Sequence, residues 1–250
     1  MTDFLNNLFS LEGKTAIITG ASRGIGHYLA DSLSAAKAEV FAVGRSEQSS
    51  LPFNNKVNYK SCDVTDSSKF KQICEQIFKD QGSIDILVNC AGISISPDNN
   101  GKLESFQKII ETNLSAAYQS IISVAEHMRK TGGSIINVTS IASILGMPDN
   151  PGYVASKGGL RMLTRGLAID LAKDNIRVNN VVPGYILTDM TRKSYEDKKL
   201  KDLRDRRMIK DRWGAPKDLI GAVILLASDA SDYITGTDIV IDGGWTAKGL

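Results

Sequence analysis

Short apolar runs alternate with helical patterns along the whole chain. The apolar runs are rich in β-branched residues and lie between turn residues, which is typical of buried strands. We predict strands over Lys14–Thr19, Glu39–Val43, Val57–Tyr59, Ile84–Val88, Ser134–Val138, Arg177–Val182 and Asp238–Ile241. A helical spacing of apolar residues fills much of the remainder. We predict helices over Gly24–Lys37, Asp66–Asp80, Leu103–Lys130, Pro151–Lys173 and Lys217–Ala227.

This alternation determines the expected fold class. Strands that are apolar throughout and are separated by helices predict a parallel sheet covered on both faces. Right-handed crossovers then give a doubly wound α/β fold of the Rossmann type. No linker rich in Pro, Gly or Ser divides the chain, so we expect residues 1–250 to form a single domain.

Composition and charge exclude several classes of protein. The chain is 42% hydrophobic with a net charge of +2, which gives no global signature of a nucleic-acid or membrane binder. No apolar run reaches the roughly 18 residues of a membrane span. The first residues lack the pattern of a signal peptide, so we expect a cytoplasmic protein.

Cysteine and histidine offer little for metal or nucleophilic chemistry. Cys62, Cys74 and Cys90 are odd in number and match no zinc or redox spacing, so we expect reduced thiols. His27 and His127 both fall in predicted helices. We therefore expect no metal site and no Ser-His-Asp triad.

A glycine-rich turn follows the first predicted strand. Glycines there let the chain turn tightly and bring backbone N–H groups close to a pyrophosphate, at the positive end of the next helix. Glycines alone would also suit a tight turn without a ligand, but the position between first strand and first helix favours a dinucleotide site. The candidate cofactor contacts in this turn are Gly20, Ser22, Arg23, Gly24, Ile25 and Gly26.

The end of the second strand bears on the choice of cofactor. A carboxylate there would bond the ribose 2′-hydroxyl of NAD, whereas this chain has Arg45 and Ser46. An arginine offers a fork of donors to a 2′-phosphate, and Arg23 could add a second positive charge. We predict a preference for NADP(H), with NAD(H) possible; the alternative is that both arginines merely face solvent.

Tyr153, Lys157 and Ser140 form a candidate catalytic set. Tyr153 and Lys157 are four residues apart in a predicted helix and so share a face, while Ser140 follows a buried strand. A phenol can give a proton to a developing alkoxide, a nearby ammonium lowers the phenol pKa, and a serine hydroxyl can hold the substrate oxygen. The spacing alone would also suit a core aromatic residue and a solvated lysine.

Together these motifs resemble the classical short-chain dehydrogenase/reductase family over nearly the whole chain. The turn from Thr19 to Gly26 resembles the cofactor fingerprint of that family, and residues 89–92 resemble its Asn-Asn-Ala-Gly motif, with Cys90 in place of the second Asn. The resemblance implies catalytic roles for Asn113, Ser140, Tyr153 and Lys157, with Asn113 holding a water in a proton relay. It also implies that Lys157 bonds the nicotinamide ribose.

The resemblance extends the set of expected cofactor contacts. It implies adenine contacts from Asp63 and Val64, and nicotinamide contacts from residues 183–188. Thr188 could equally be a helix cap, and Asn89 suits a structural role better than a chemical one. Besides those in the turn and at Arg45 and Ser46, the expected cofactor contacts are Asp63, Val64, Asn89, Ala91, Gly92, Tyr153, Lys157, Pro183, Gly184, Ile186 and Thr188.

A basic segment bears on the substrate. Met190–Arg212 has ten Lys or Arg and five Asp or Glu, and residues 188–213 lie where the family has its substrate lid. The basic charge could steer an anionic substrate or partner, or it could belong to a solvated amphipathic helix. We expect a small carbonyl or alcohol substrate, either free or bound to a carrier, and no nucleic-acid or membrane partner.

Two sub-families compete for the substrate. Residues 188–192 and 111–115 resemble the 3-oxoacyl-[acyl-carrier-protein] reductases, whereas residues 9–14, 212–214 and 242–247 resemble the 2-deoxygluconate and gluconate dehydrogenases. We favour a keto-sugar acid, with the oxoacyl reductase as the alternative. A catalytically silent nucleotide-sensing module or a structural subunit is disfavoured by the intact catalytic set. The family is commonly tetrameric, and long helices with small residues are compatible with a homotetramer.

Overall fold

Seven parallel strands form one sheet in the computed structural model, which describes residues 2–95 and 102–248. Their spatial order is β3-β2-β1-β4-β5-β6-β7. The strands are β1 Thr15–Thr19, β2 Glu39–Gly44, β3 Val57–Ser61, β4 Ile86–Asn89, β5 Gly133–Val138, β6 Ile176–Pro183 and β7 Asp238–Ile241. The predicted doubly wound parallel fold is therefore confirmed.

Helices cover both faces of the sheet. The α-helices are α1 Thr2–Phe9, α2 Gly24–Ala35, α3 Ser67–Gln81, α4 Leu103–Ile110, α5 Ala116–Met128, α6 Pro151–Asp170, α7 Asp189–Glu196, α8 Lys198–Asp205 and α9 Ile220–Ala227. Residues alternate along each strand, so Ile17 and Leu87 join a core with α3, α5 and α6, while Ile18 and Val88 join a second core with α2 and α9.

Several helical segments differ from the sequence prediction, among them the lid helices α7 and α8, which were not among the predicted helices. The helix expected over Leu103–Lys130 contains a π-helical turn at Glu111–Ser115, and the helix expected from Lys217 begins with a 3₁₀ turn at Pro216–Leu219. The N-terminal helix α1 was not predicted. Its amphipathic pattern spans only two turns, which is too short for periodicity to identify it.

The strand order reverses at β1, and this positions the site. Strand β1 pairs with β2 on one side and with β4 on the other, so the chain leaves the two neighbouring strands toward opposite faces. A crevice opens at such a point, outside the carboxyl ends of the strands. No helix in the described part of the chain is long and apolar enough to cross a membrane.

Candidate active site

A cleft of about 260 Å³ lies at the carboxyl edge of the sheet. It collects most of the side chains expected from the sequence to bind cofactor or substrate. Ser46, Asn89 and Asn113 are the expected residues that do not line it. The expected residues that do are Gly20, Ser22, Arg23, Gly24, Ile25, Gly26, Arg45, Asp63, Val64, Ala91, Gly92, Ser140, Tyr153, Lys157, Pro183, Gly184, Ile186 and Thr188.

Close backbone packing explains the glycines of the first turn. A Cβ at Gly20 would lie 2.6 Å from the Cα of Ala91, and one at Gly26 would lie 2.5 Å from the carbonyl oxygen of Gly20. Gly20 and Gly24 also have positive φ angles of 68° and 60°. Helix α2 begins at Gly24, so its free N–H groups and positive dipole end lie at the cleft. This turn fits a dinucleotide pyrophosphate.

Positive charge gathers at the adenosine end of the cleft. Arg23 and Arg45 line the cleft and are exposed. Burial favours a higher pKa for the Asp63 carboxyl, but hydrogen bonds from Thr65 and the charge of Arg45 outweigh it, so the pKa is lowered. Ser46 instead contributes its carbonyl oxygen, which accepts a hydrogen bond from the Tyr59 hydroxyl at 2.9 Å. These cations suit a 2′-phosphate.

The candidate catalytic side chains meet at the opposite end of the cleft. Ser140 follows β5, and its hydroxyl accepts a hydrogen bond from the Ala142 N–H at 3.1 Å. Lys157 is 4% exposed and its Nζ donates to the Val138 carbonyl at 2.9 Å. The same Nζ lies 5.8 Å from the centre of the Tyr153 ring. Helix α6 thus presents Tyr153 and Lys157 on one face, toward the end of β5.

Burial shifts the pKa values of both members of this pair. Burial raises the pKa of Tyr153, and a hydrogen bond with the Ser140 side chain opposes that rise. Burial also lowers the pKa of Lys157 to about 8. Desolvation is the largest cause of the Tyr153 shift, and the expected lowering of the phenol pKa by the Lys157 ammonium stays a prediction.

Asn113 lies in the π-helical turn and bonds to the backbone beside the cleft. Its Oδ1 accepts from the Ile93 N–H at 2.8 Å, and its Nδ2 donates to the Ile93 carbonyl at 3.0 Å. Nδ2 also lies 3.1 Å from Ser156 Oγ. A Cβ built on Gly92 would be 3.4 Å from Asn113 Oδ1 and 3.5 Å from Lys157 Nζ, so the three groups are close neighbours. The π-helical turn, which is wider than an α-helical turn, thus lies against helix α6.

Asn89 has structural contacts. Its side chain donates to Asn137 Oδ1 at 2.9 Å, behind the cleft. The hydroxyl of Thr19 accepts hydrogen bonds from the N–H groups of Cys90 and Ala91, at 3.1 and 3.2 Å. These backbone bonds hold the turn after β4 although Cys90 replaces the asparagine of the family motif.

The segment after β6 forms another wall of the cleft. A Cβ at Gly184 would lie 2.7 Å from the Cα of Asp242, so the chain passes too close for a larger residue. Thr188 is the N-cap of α7, and its N–H donates to Thr191 Oγ1 at 3.0 Å. Thr188 also lines the cleft, so it caps the helix and faces the site at once.

Several lining residues were missed by sequence reasoning. Most lie directly beside predicted ones in the chain, so extending each motif by a residue or two would have found them. Ile93 follows Gly92 and Thr112 precedes Asn113, and the Asn113 side chain bonds to the Ile93 backbone across the two segments, a contact that the sequence does not reveal. The missed lining residues are Gly44, Cys62, Cys90, Ile93, Thr112, Val138, Thr139, Asp189, Met190 and Thr191.

Metal-binding chemistry has no visible basis in this region. Across residues 2–95 and 102–248, no group of three or more His, Cys, Asp or Glu side chains could hold a metal ion.

Cys62 and Cys74 are buried free thiols, and burial raises the pKa of Cys74 to about 12 and that of Cys90 to about 11. These thiols are protonated near neutral pH.

The known proteins that resemble this chain include reductases that match it over nearly its full length. A family model described as enoyl-(acyl carrier protein) reductase matches residues 20–246. The 5-keto-D-gluconate 5-reductase of Escherichia coli strain K12 is 36% identical, covering 96% of this chain and 98% of the relative. The 3-oxoacyl-[acyl-carrier-protein] reductase of the same strain is also 36% identical, covering 94% of this chain and 98% of the relative.

A solved structure resembles the fold over almost its full length. A gluconate 5-dehydrogenase from Burkholderia cenocepacia J2315, in complex with NADP and tartrate, has a TM-score of 0.92 and 33% identity, covering 98% of this chain and 100% of that one. Fold, site and relatives agree. The chain belongs to the short-chain dehydrogenase/reductase family and is an NAD(P)-dependent oxidoreductase acting on CH–OH groups.

Proposed function

We propose that this enzyme uses NADP(H) to interconvert a keto-sugar acid and the corresponding hydroxy acid. The observation that carries the reaction is the meeting of Ser140, Tyr153 and Lys157 at one end of a cleft whose other end holds Arg23 and Arg45. The arginines favour the phosphorylated cofactor, since their donors match a 2′-phosphate.

The chain's own residues would handle the proton and the substrate oxygen. The Ser140 hydroxyl would bond the carbonyl oxygen and hold it beside Tyr153. The Tyr153 phenol would give its proton to that oxygen during reduction and take it back during oxidation. Lys157, in its protonated form, would stabilise the phenolate left behind and bond the nicotinamide ribose. When bound, NADPH supplies the hydride.

Asn113 would act from beside this set. Its side chain is occupied with the Ile93 backbone, and the π-helical turn around it adjoins Lys157 through Gly92. A water held at this turn would link Lys157 to solvent, so that the proton given to substrate is replaced. The adenine would lie against Asp63 and Val64, and the nicotinamide against residues 183–188.

Two observations support an anionic sugar as substrate. Relatives that act on keto-gluconate and gluconate match this chain over nearly its full length. Helix α7 lines the cleft through Asp189, Met190 and Thr191, and the lid segment 190–212 that contains most of α7 and all of α8 has a net charge of +5, from ten basic and five acidic residues. A basic lid would raise the local concentration of an anion.

A second candidate is the reduction of 3-oxoacyl groups on an acyl carrier protein. An oxoacyl reductase is 36% identical to this chain, and the basic lid would suit an acidic carrier as well as an anionic sugar. The two candidates differ in the size and polarity of the substrate and not in the chemical step.

One assay separates these candidates. NADPH oxidation is followed with 5-keto-D-gluconate and, separately, with a short 3-oxoacyl thioester. The proposal expects kcat/KM above about 10⁴ M⁻¹s⁻¹ for the sugar acid and far less for the thioester. The reverse order would assign the enzyme to the oxoacyl reductases. Tyr153→Phe serves as the inactive control for either substrate.

We also propose a cytoplasmic homotetramer. Free thiols at Cys62, Cys74 and Cys90 fit a reducing compartment. Helices α5 and α6 leave large apolar side chains exposed, including Tyr118, Ile122 and Met162, which would be covered by other copies of the chain.

A further inference from the structure

Arg204, in lid helix α8, is half-buried among aromatic rings. Its guanidinium carbon lies 4.7 Å from the centre of the Tyr185 ring and 5.8 Å from that of Trp213. Its Nη1 donates to the Ser194 carbonyl at 3.3 Å. These contacts fix the orientation of the guanidinium plane while leaving other N–H donors of the fork for a ligand.

Two cations of the lid, Lys201 and Arg204, are half-buried, and of these two Arg204 lacks an anionic partner among the described residues. Lys201, also half-buried, pairs with Asp205, and Arg212 pairs with Asp218 at 2.8 Å. Within the described part of the chain, no carboxylate forms an ion pair with Arg204. Partial removal of a guanidinium from water costs free energy, and the aromatic faces offset only part of that cost. A bound carboxylate would offset the remainder.

The aromatic rings connect Arg204 to the substrate end of the cleft. Tyr185 lies between Gly184 and Ile186, which both line the cleft. Trp213 shares an apolar cluster with Ile141, the residue that directly follows Ser140. Arg204 therefore packs on side chains that adjoin residues lining the substrate end of the cleft, while its own side chain lies outside that lining.

We propose that Arg204 binds the carboxylate of the keto-sugar acid and so selects anionic substrates. This inference rests on the proposed function. The planar fork of arginine matches a carboxylate with two parallel hydrogen bonds, and the stacked rings hold it ready before substrate arrives. A lysine would keep the charge but lose the two-point geometry.

The test uses the complete enzyme with NADPH and compares three variants. Arg204→Gln removes the charge but keeps most of the side chain, and Arg204→Lys keeps the charge. Arg206→Gln is the matched control, because Arg206 is exposed in the same lid and its removal changes the net charge equally. The readouts are kcat and KM for 5-keto-D-gluconate, competitive inhibition by tartrate, and the Kd for NADPH.

We expect Arg204→Gln to raise KM about 10- to 100-fold, since a charge-assisted hydrogen bond to substrate is lost. Tartrate inhibition weakens in parallel, while kcat and the Kd for NADPH change less than about 3-fold. Arg204→Lys recovers part of the loss, and Arg206→Gln leaves KM within about 3-fold of wild type.

Two results would overturn the inference while leaving the proposed function intact. The first is an Arg204→Gln enzyme that loses kcat or NADPH binding without a rise in KM, which would indicate only a structural role. The second is an equal rise in KM for Arg206→Gln, which would indicate general electrostatic steering. A wild-type enzyme that does not reduce 5-keto-D-gluconate would instead refute the proposed function, and the role of Arg204 with it.

Discussion

Lys157 combines a catalytic position with an unfavourable environment. It is 4% exposed, and its Nζ donates a hydrogen bond to the Val138 carbonyl. Its pKa in the folded chain is about 8, whereas an unfolded lysine has a pKa of roughly 10.4. Below pH 8 the folded protein must therefore hold a buried charge that the unfolded chain would keep in water, and this lowers stability.

Replacing Lys157 with methionine should abolish activity and stabilise the protein. Removing the buried charge gains on the order of 2–3 kcal/mol at pH 7, and losing the bond to Val138 costs about 1 kcal/mol, so we expect a net gain of about 1–2 kcal/mol. Between pH 8 and 10.5 the unfolded chain binds more protons than the folded one, so wild-type stability rises and the advantage shrinks. Urea unfolding of wild type and Lys157→Met at pH 7 and at about pH 10 measures the stability gain and its decrease with pH. Tyr153→Phe is the inactive control. A Lys157→Met enzyme that is less stable than wild type at pH 7 would contradict this account.

The same lowered pKa predicts the pH dependence of the reaction. Reduction needs a protonated Tyr153 and a protonated Lys157, and Lys157 loses its proton as the pH rises through about 8. We expect kcat/KM for reduction to be level at lower pH and to fall above that value. A pH–rate profile with saturating NADPH measures this, and a rate that increases through pH 8 would be inconsistent with it.

Arg45 should decide between the two nicotinamide cofactors. Arg45→Ala removes a fork of donors from the exposed end of the cleft, so we expect KM for NADPH to rise about 10- to 100-fold. KM for NADH should change little, because NADH lacks the 2′-phosphate. Steady-state kinetics with each cofactor test this, with Arg129→Ala at a distant exposed position as the control. Equal losses with both cofactors would assign Arg45 to a different role.

At the scale of elements, the catalytic helix α6 is tied to the sheet by a buried polar network. Thr164, on α6, accepts a hydrogen bond from Asn137 Nδ2 at 2.8 Å, and its Oγ1 lies 2.7 Å from Asn180 Oδ1. Asn180 in turn donates to Asp238 on β7 at 2.8 Å. The network joins β5, β6 and β7 to the helix that carries Tyr153.

Removing the Thr164 hydroxyl should therefore destabilise the fold. Thr164→Val keeps the shape but removes the partner of the buried Asn137 Nδ2 and of the buried Asn180 Oδ1, at a cost of about 2–3 kcal/mol. Thr164→Ser keeps the hydroxyl and should cost less than about 1.5 kcal/mol. Urea unfolding of both variants makes the comparison. Equal losses would show that the methyl group, and not the hydroxyl, is what Thr164 contributes.

Elements set by local residue types could be predicted, and those set by contacts between distant segments could not. The glycine turn follows from close packing that only glycine permits, so its sequence identifies it. The π-helical turn at Glu111–Ser115 carries no residue pattern that distinguishes it from an α-helical turn, and its Asn113 side chain bonds to the Ile93 backbone in a distant segment. The position of Arg204 between Tyr185 and Trp213 could not be predicted, because these aromatic residues lie elsewhere in the chain.

At the scale of the whole molecule, the strand order brings these separate motifs together. Residues 20–26, 89–92, 140 and 183–188 each follow a different strand, and parallel strands end at one edge. Doubly wound topology could be predicted from the alternation of elements, and the meeting of the motifs followed from it. The charge states of Tyr153 and Lys157 could not be predicted from the sequence, because their burial depends on how completely the surrounding elements close around them.

The exposed faces of the long helices give a prediction for the assembly. Tyr118 is 45% exposed and Ile122 is 38% exposed, and their spacing of four residues puts them on one face of α5. Ile122→Glu would place a charge in the proposed contact between copies, where it would lose water without gaining a partner. We expect light scattering to give a tetramer for wild type and a smaller species for this variant. Tyr28→Glu, at a similarly exposed residue on α2, should leave the mass unchanged. A wild-type monomer would refute the proposed tetramer, and a tetramer that survives Ile122→Glu would place the contacts elsewhere.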